Sequence, residues 1–342
     1  MHERQTLSRE ITIGIESTHH VFGVGIVDSE GHVWADVRRS FQPKMGGVHP
    51  REASRFFASR ASEVIFEALH SADLSLADMS YVAFSRGPGL GPCLRVGATA
   101  ARALAMVSKK ALVGVNHAAA HLEIARRMSG ASDPVFLYVS GGNTQVITST
   151  GQRYLVLGET EDIAVGNMMD SFGKSAGLGF PGGPEIEELA RRGKRLCDIP
   201  YSVKGMNVSM SGTLTKAESL IGESPLEDIA FSLQEVAFSM LIEVSERAMA
   251  YLAKEEMVVA GGVGLNSRLR EMAKTMCAER GAKFLDYEPK YYGDNGVMIA
   301  WLGCLLGLRG ERLDVLASNV FPRWRIEDVA APDREERQDD KA

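Results

Sequence analysis

The sequence predicts an α/β protein of two similar halves with a cleft between them. Two observations carry this. Short apolar runs of strand length alternate with longer runs of helical periodicity. One order of parts (strand, small polar turn, strand, glycine turn, strand) occurs at residues 11–34 and again at 135–157. A third observation supports them: the 35 glycines gather in short clusters, which suit a backbone that must approach a ligand closely. A chain of 342 residues has ample material for two lobes. The expected division is an N-terminal lobe over 8–131 and a C-terminal lobe over 132–326, with a helical insert at about 160–225. A charged tail or linker follows at 327–342.

In order, residues 11–15 form a strand pattern, 16–20 a polar turn, 21–27 a second strand, and 28–31 a turn into a third. The polar turn, with Ser17 and Thr18, is either a plain hairpin or one whose hydroxyls and N–H groups face a phosphate. Residues 38–50 hold Arg38, Arg39, Pro43, Lys44, Gly46, Gly47 and Pro50. They read as a positive loop, suited to a polyanion or simply solvated. Apolar spacing over 51–69 predicts an amphipathic helix. Residues 81–84 are a strand, and the Gly/Pro run at 87–92 a tight loop opening a helix to about 107. Another strand follows at 111–115. The second half supplies strands at 135–139, 144–147 and 154–157, then a dense glycine segment at 168–183. There Gly173-Lys174-Ser175 imitates the end of a P-loop, but the leading glycine of that motif falls on Met168. Pro184 suits the first turn of a helix carrying Glu185, Glu187 and Glu188. A polar Met/Ser-rich stretch at 204–216 precedes a long helix at 226–253. The strand 257–260 leads into Gly261-Gly262-Val263-Gly264-Leu265-Asn266, which lacks the dinucleotide GxGxxG spacing. Those glycines are better suited to lie flat beside a planar ring, leaving Asn266 free for a sugar or base. A short strand at 284–285, a turn at 291–296 capped by Asp294 or Asn295, and a buried helix at 297–308 complete the plan.

Composition limits the function classes. Hydrophobic content of 45% and charged content of 24% are ordinary for a soluble protein. No apolar run suffices to cross a bilayer, and residues 1–10 carry no secretory h-region. Cys93, Cys197, Cys277 and Cys304 are far apart, which favours free thiols in a reducing cytoplasm over a disulfide framework or zinc ribbon. A cytoplasmic protein without a membrane partner is expected. Net charge of −6 argues against coating nucleic acid by charge alone, leaving a local basic groove or basic partner subunits.

The chemistry centres on His117-Ala118-Ala119-Ala120-His121. Alanines favour helix, and i, i+4 histidines share one helix face. The pair is either a divalent-metal grip or two polar side chains on a solvated face. It follows a buried strand, and ligands of open α/β sheets gather at strand C-termini. A zinc protease needs Glu directly after the first His, where Ala118 stands. With a late Asp in a glycine turn and a phenol, the set is nitrogen and oxygen, suited to Fe, Mn, Zn or Mg rather than a thiophilic ion.

Several further motifs occur in one fixed order. They are Gly14-Ile15-Glu16-Ser17-Thr18, Gly46-Gly47-Val48-His49-Pro50-Arg51-Glu52-Ala53, and Asn116-His117 through His121. Next come Tyr138-Val139-Ser140-Gly141-Gly142-Asn143-Thr144-Gln145, Met169-Asp170-Ser171-Phe172-Gly173-Lys174 and Phe180-Pro181-Gly182-Gly183-Pro184. Gly261-Gly262-Val263-Gly264-Leu265-Asn266 and Gly293-Asp294-Asn295-Gly296 close the series. Across residues 11–325 the chain resembles the tRNA threonylcarbamoyladenosine transferase family, which includes bacterial TsaD and the catalytic subunit of the KEOPS complex. Tyr138 and Asn143 resemble the archaeal and eukaryotic branch.

The resemblance implies a two-lobed actin-like/sugar-kinase/Hsp70 (ASKHA) fold with ribonuclease-H-like halves and a nucleotide cleft. It implies metal ligation by His117, His121 and Asp294, with Tyr138 as a further ligand. The ion would be Fe(II) first, with Zn, Mg or Mn as alternatives. Val139, Ser140, Gly141 and Gly142 would cradle phosphates, Asp170 and Glu187 would bind ribose hydroxyls, and Gly183 and Asn266 would flank adenine and sugar. The implied reaction carries a threonylcarbamoyl group from threonylcarbamoyl-AMP to tRNA, in a cleft that also takes ATP. The base that removes the amine proton stays open among His49, Glu16 and a metal-bound water. Implied partners are tRNA, a small dimerising subunit on the helices at 51–69 and 98–107, and a kinase/ATPase subunit that in some relatives is fused at the C-terminus. A further small tRNA-binding subunit completes the set. The rival readings are a metalloprotease, a sugar kinase and a non-enzymatic scaffold.

Overall fold

A computed structural model describes residues 9–43 and 47–332. Lys44, Gly46 and the last ten residues of the expected tail lie outside the described residues. The first half runs β1 (Ile11–Glu16), β2 (Val21–Asp28), β3 (Val33–Ser40), α1 (Pro50–Ser71), β4 (Tyr81–Gly87), α2 (Gly91–Ser108), β5 (Ala111–Asn116), α3 (His117–Ser129). The second runs β6 (Val135–Val139), β7 (Thr144–Thr150), β8 (Arg153–Glu159), α4 (Val165–Ser175), α5 (Gly182–Ala190), β9 (Val203–Lys204) and β10 (Asn207–Val208). It continues through α6 (Ser211–Ser219), α7 (Leu226–Leu252), β11 (Glu256–Ala260), α8 (Ser267–Glu279), β12 (Lys283–Phe284) and α9 (Gly296–Leu308).

The halves share one topology. Sheet order is β3-β2-β1-β4-β5 in the first and, read from the matching edge, β8-β7-β6-β11-β12 in the second. In each, an antiparallel meander of three strands is extended by two strands parallel to its first member. The repeated order of parts in the sequence is therefore a repeated fold.

Each half sends its last helix to the other. α9 packs across β1, β2, β4 and β5, while α3 packs against β6 and β11 and against α9. Glycines let α9 lie almost backbone to backbone on the first sheet. A Cβ on Gly14 would stand 2.2 Å from the Ala300 nitrogen, and one on Gly25 2.3 Å from that of Val297. The buried core is consequently continuous across both halves, and a second cluster fills the space between the first sheet and α1 and α2.

Two expectations change, and one segment gains a definite shape. β3 extends to Ser40, so Arg38 and Arg39 are strand residues rather than loop. Arg38 bonds Asp36 and the carbonyl oxygens of Lys290 and Asp294, and Arg39 pairs with Glu63 and Glu67 of α1. Neither is free for a polyanion. The glycine-dense segment from Met168 is helical to Ser175, because Gly173 and Gly182 let α4 and α5 approach closely; a Cβ on Gly182 would meet the Met169 carbonyl at 2.7 Å. Residues 326–332 pack onto the body. Ile326 is buried, and the Ala331 N–H donates to the Gln152 carbonyl at 2.9 Å.

Candidate metal centre and nucleotide cleft

β5 ends at Asn116, whose side-chain oxygen accepts the Ala119 N–H at 3.1 Å and starts α3. His117 is thereby the first helical residue and His121 sits one turn later on the same face. On the other half, Asn295 caps α9 by accepting the Met298 N–H at 2.9 Å, and Asp294 precedes it. Docking α3 against α9 brings the two helix starts together. His121 Nε2 lies 3.2 Å and His117 Nε2 3.5 Å from the same Asp294 oxygen, and one donor atom from each residue falls within 4.8 Å of the others.

Glu16 completes the arrangement. It is fully buried at the end of β1, and His117 Nδ1 lies 2.9 Å from it. Its other oxygen accepts the Thr18 N–H at 2.6 Å and the Thr18 hydroxyl. With Nδ1–H donated to Glu16, His117 presents its Nε2 lone pair to the cluster, as in carboxylate–histidine–metal triads. Burial alone would lower the His117 pKa, but Glu16 and Asp294 outweigh it and push it up to about 9. Burial lowers His121 despite its bond to Asp294. Burial opposes ionisation of Asp294, yet both imidazoles hold it well below the usual carboxylate range.

The buried His121 Nδ1 and Tyr138 hydroxyl have no hydrogen-bond partner of normal geometry; Ser140 and Asn143 lie near the phenol. The Tyr138 ring sits 5.5 Å from that of His121. Orphaned buried polar atoms are costly, so two imidazoles, a carboxylate and an unpaired phenol around one point fit a divalent ion. Ala118, where a protease would place its glutamate, is buried.

Two residues beyond Tyr138 the chain makes the turn Ser140–Asn143, closed by the Ser140 N–H to Asn143 oxygen bond of 2.8 Å and the Asn143 N–H to Ser140 Oγ bond of 3.1 Å. No described residue crowds the space a Cβ on Gly142 would fill, and among the described residues Gly141 has only Asn167 Oδ1 at 3.8 Å. The turn is open where a ligand backbone would approach. Asp170 on α4 accepts the Gly182 N–H at 2.8 Å, and burial raises its pKa. Gly183 lies in the first turn of α5. Glu187 on the same helix accepts from the Ser267 N–H at 3.1 Å and the Ser267 hydroxyl. Asp170, Gly183, Glu187 and Asn266 thus occupy one neighbourhood. Asn266 is less free than expected: its oxygen caps α8 and its amide donates to Gln234 at 2.8 Å.

Reasoning from sequence missed His20, whose ring stands edge-on to Phe180 at 6.2 Å and joins the β1–β2 turn to the second half. Glu16 was weighed as a base, but it is enclosed and positions His117. An acid ending an otherwise apolar strand was the available signal. His49 is exposed at the start of α1.

Two sheets of one topology, exchanging helices around a cleft with a turn open to ligand, define an ASKHA-fold protein. Solved structures agree on fold. HypF of T. kodakarensis aligns at a TM-score of 0.61 with 14% identity, over 89% of this chain and 48% of that one. The activator of 2-hydroxyisocaproyl-CoA dehydratase from Clostridium difficile with bound ADPNP aligns at 0.54 with 12% identity, over 89% and 99%. Within that class, the family model of TsaD, tRNA N6-adenosine threonylcarbamoyltransferase, matches residues 34–301. A tRNA N6-adenosine threonylcarbamoyltransferase of Archaeoglobus fulgidus is 50% identical over 93% of this chain and 98% of its own length. A probable bifunctional tRNA threonylcarbamoyladenosine biosynthesis protein of Thermoplasma volcanium is 51% identical over 94% of this chain, which spans 61% of that relative. The chain belongs to the tRNA N6-adenosine threonylcarbamoyltransferase family. No helix among the described residues is long and apolar enough to cross a membrane.

Proposed function

We propose that this protein transfers the threonylcarbamoyl group of threonylcarbamoyl-AMP to the exocyclic amine of the adenosine 3′ of the anticodon. The tRNAs are those reading codons that begin with A, and the chain acts as the catalytic subunit of a KEOPS-type complex. The observation that carries this reading is the convergence of His117, His121 and Asp294 beside an open glycine turn. These three residues, with Tyr138, would hold one divalent ion, Fe(II) before Zn, Mg or Mn. When bound, the ion supplies Lewis acidity toward phosphate or carbonyl oxygen.

The protein's own groups do the rest. Glu16 fixes the ring of His117. Val139, Ser140, Gly141 and Gly142 offer backbone to the phosphate, Asp170 and Glu187 accept ribose hydroxyls, and Gly183 and Asn266 border the base and sugar. The amine nitrogen bonds to the carbamoyl carbon, the carbon–oxygen bond to phosphate breaks, and AMP leaves with the electron pair. The amine proton passes to solvent. The mixed anhydride is already activated, so positioning supplies much of the rate. No thiol nucleophile is needed: burial raises Cys93 and Cys277 to about 11.

A small dimerising subunit would dock on α1 and α2, where Phe66, Met106 and Val107 are exposed. A kinase/ATPase subunit, fused or separate, and a second small tRNA-binding subunit complete the assembly in the cytoplasm. The lobes divide at 131/132, with a helical insert from about 160 to 225; the repeated sheet order supports the two-lobe reading. The test compares wild type with His117→Ala/His121→Ala, measuring bound metal and transfer from supplied threonylcarbamoyl-AMP together. Both are expected to vanish; full transfer without metal overturns the reading.

A further inference from the structure

The segment Phe321-Pro322-Arg323-Trp324-Arg325 has no part in the site described so far, yet it is fastened to it. The Phe321 N–H donates to the Arg86 carbonyl at 2.8 Å, and the Gly89 N–H to the Pro322 carbonyl at 3.1 Å. Arg86 Nε donates to the Asn319 carbonyl at 2.7 Å. Asn116, which starts the helix bearing His117, reaches the carbonyls of Trp324 and Arg325 at 3.4 and 3.5 Å. The segment is a built strip along the β4–α2 loop, in register with the metal-ligand helix.

Beside it opens a cavity of about 280 Å³. Its lining comes from both halves, Ala118 on one side and Asn143 on the other, and includes Arg323 and Trp324 together with the carboxylates Glu159 and Glu327. Ala118 follows His117 on α3 and Asn143 closes the glycine turn, so the cavity borders the start of the metal-ligand helix and that turn. Its volume is near the lower end of ~300–1,000 Å³ small-molecule sites, room for a nucleoside rather than a folded polymer.

The rim has the chemistry of single-stranded RNA recognition, cations interleaved with aromatic faces. Phe321 is 42% exposed, and the Arg86 guanidinium lies over its ring at 4.4 Å. Trp324 is edge-on to Phe321 at 5.8 Å. Arg325 is paired with Glu327 at 2.7 Å, whereas Arg323 is exposed and makes no hydrogen bond or ion pair with another described residue. On a chain of net charge −6, an unpaired arginine beside an indole and a cavity is a local exception that attracts an anion.

We infer that Arg323 and Trp324 form the docking strip for the anticodon loop, Arg323 on a backbone phosphate and Trp324 stacked on a loop base at the cavity mouth. The inference rests on the transfer reaction proposed above.

The experiment uses the full-length protein with its partner subunits and an in vitro transcribed tRNA that reads codons beginning with A. Arg323→Ala should weaken tRNA binding alike for every sequence and lower the slope of log K against log salt by about 0.7. Trp324→Leu, which keeps bulk but removes the π-face, should weaken it on the order of 5- to 100-fold, and Trp324→Phe should restore most of that. Metal content and threonylcarbamoyl-AMP binding should be unchanged in all three. Unchanged tRNA affinity in Arg323→Ala and Trp324→Leu, with wild type active, overturns the docking strip and leaves the reaction standing. Loss of subunit assembly with intact tRNA binding makes the strip a protein interface and equally overturns it. A wild-type complex that binds tRNA but transfers nothing overturns the reaction instead.

Discussion

His117 is held from two sides, and those contacts separate what spacing could tell from what it could not. The His117/His121 pair was legible because i, i+4 geometry is local. Asp294 was legible as a carboxylate in a glycine turn, but its place beside the histidines was not, since its approach depends on two helices crossing between halves. Glu16 was legible as an acid but not as the partner of His117, a contact across 101 positions. Glu16→Gln keeps the shape but removes the charge that steadies the ring. Metal affinity should fall by roughly 10- to 100-fold, read by competition with a chelator. Tyr138→Phe divides structure from ligation. Ser140 and Asn143 lie near the hydroxyl but neither bonds it with normal geometry, so the metal-free variant should unfold little earlier than wild type, while metal affinity drops. The pH dependence of metal-free protein follows from His117, whose pKa rises from 6.5 to about 9 on folding. Its contribution is complete below 6.5 and fades as pH climbs through 9. His121 is shifted downward and is already neutral there. Denaturation midpoints between pH 6.5 and 9 should therefore decline, and His117→Gln should flatten that decline.

At the level of elements, strands and long helices followed from periodicity, and glycine serves close packing in one place and an open turn in another. Residues 168–175, whose end imitates a P-loop, are helix, and Gly173 there serves close packing of α4 on α5. Arg38 and Arg39 looked like loop cations because their partners, on α1 and on the turn before α9, are remote in sequence. The same distinction sorts the glycines experimentally. Gly25 is crowded, since an added Cβ would press the backbone of Val297 at 2.3 Å, near the start of α9. Gly25→Ala should cost about 1–3 kcal/mol and, by shifting α9, loosen Asp294 from the histidines and weaken the metal. Gly142 faces open space. Gly142→Ala should leave stability within about 0.5 kcal/mol and instead weaken binding of ATP or threonylcarbamoyl-AMP. Chemical denaturation and nucleotide titration of both variants check the contrast; equal stability losses would show that the turn is structural.

Across the whole molecule, the duplication visible as a repeated order of parts becomes a site only because each half lends the other its last helix. α3 begins at the ligand pair and leans on the second sheet, and α9 begins after Asp294 and lies on the first. Weak likeness in letters could reveal the repeat, but not the exchange, which is a property of packing between halves. The consequence is thermodynamic. An ion bound by His117, His121 and Asp294 is bound only when the halves are docked, so its binding energy adds to cohesion of the common core rather than to one lobe. At a free metal concentration one hundred times Kd, linkage gives about 2.7 kcal/mol, and both halves should gain it together. Hydrogen exchange can follow β1 and β6 separately as Fe(II) is added anaerobically. Equal slowing is expected in both strands, because each lies in a sheet that the other half's helix covers. His121→Ala should abolish that slowing in β1 as well as β6, although the substitution lies on a helix that makes no strong packing against β1 and leans on β6 and β11. Protection confined to β6 would mean that the ion stabilises one half and that the exchange of helices does not couple the two.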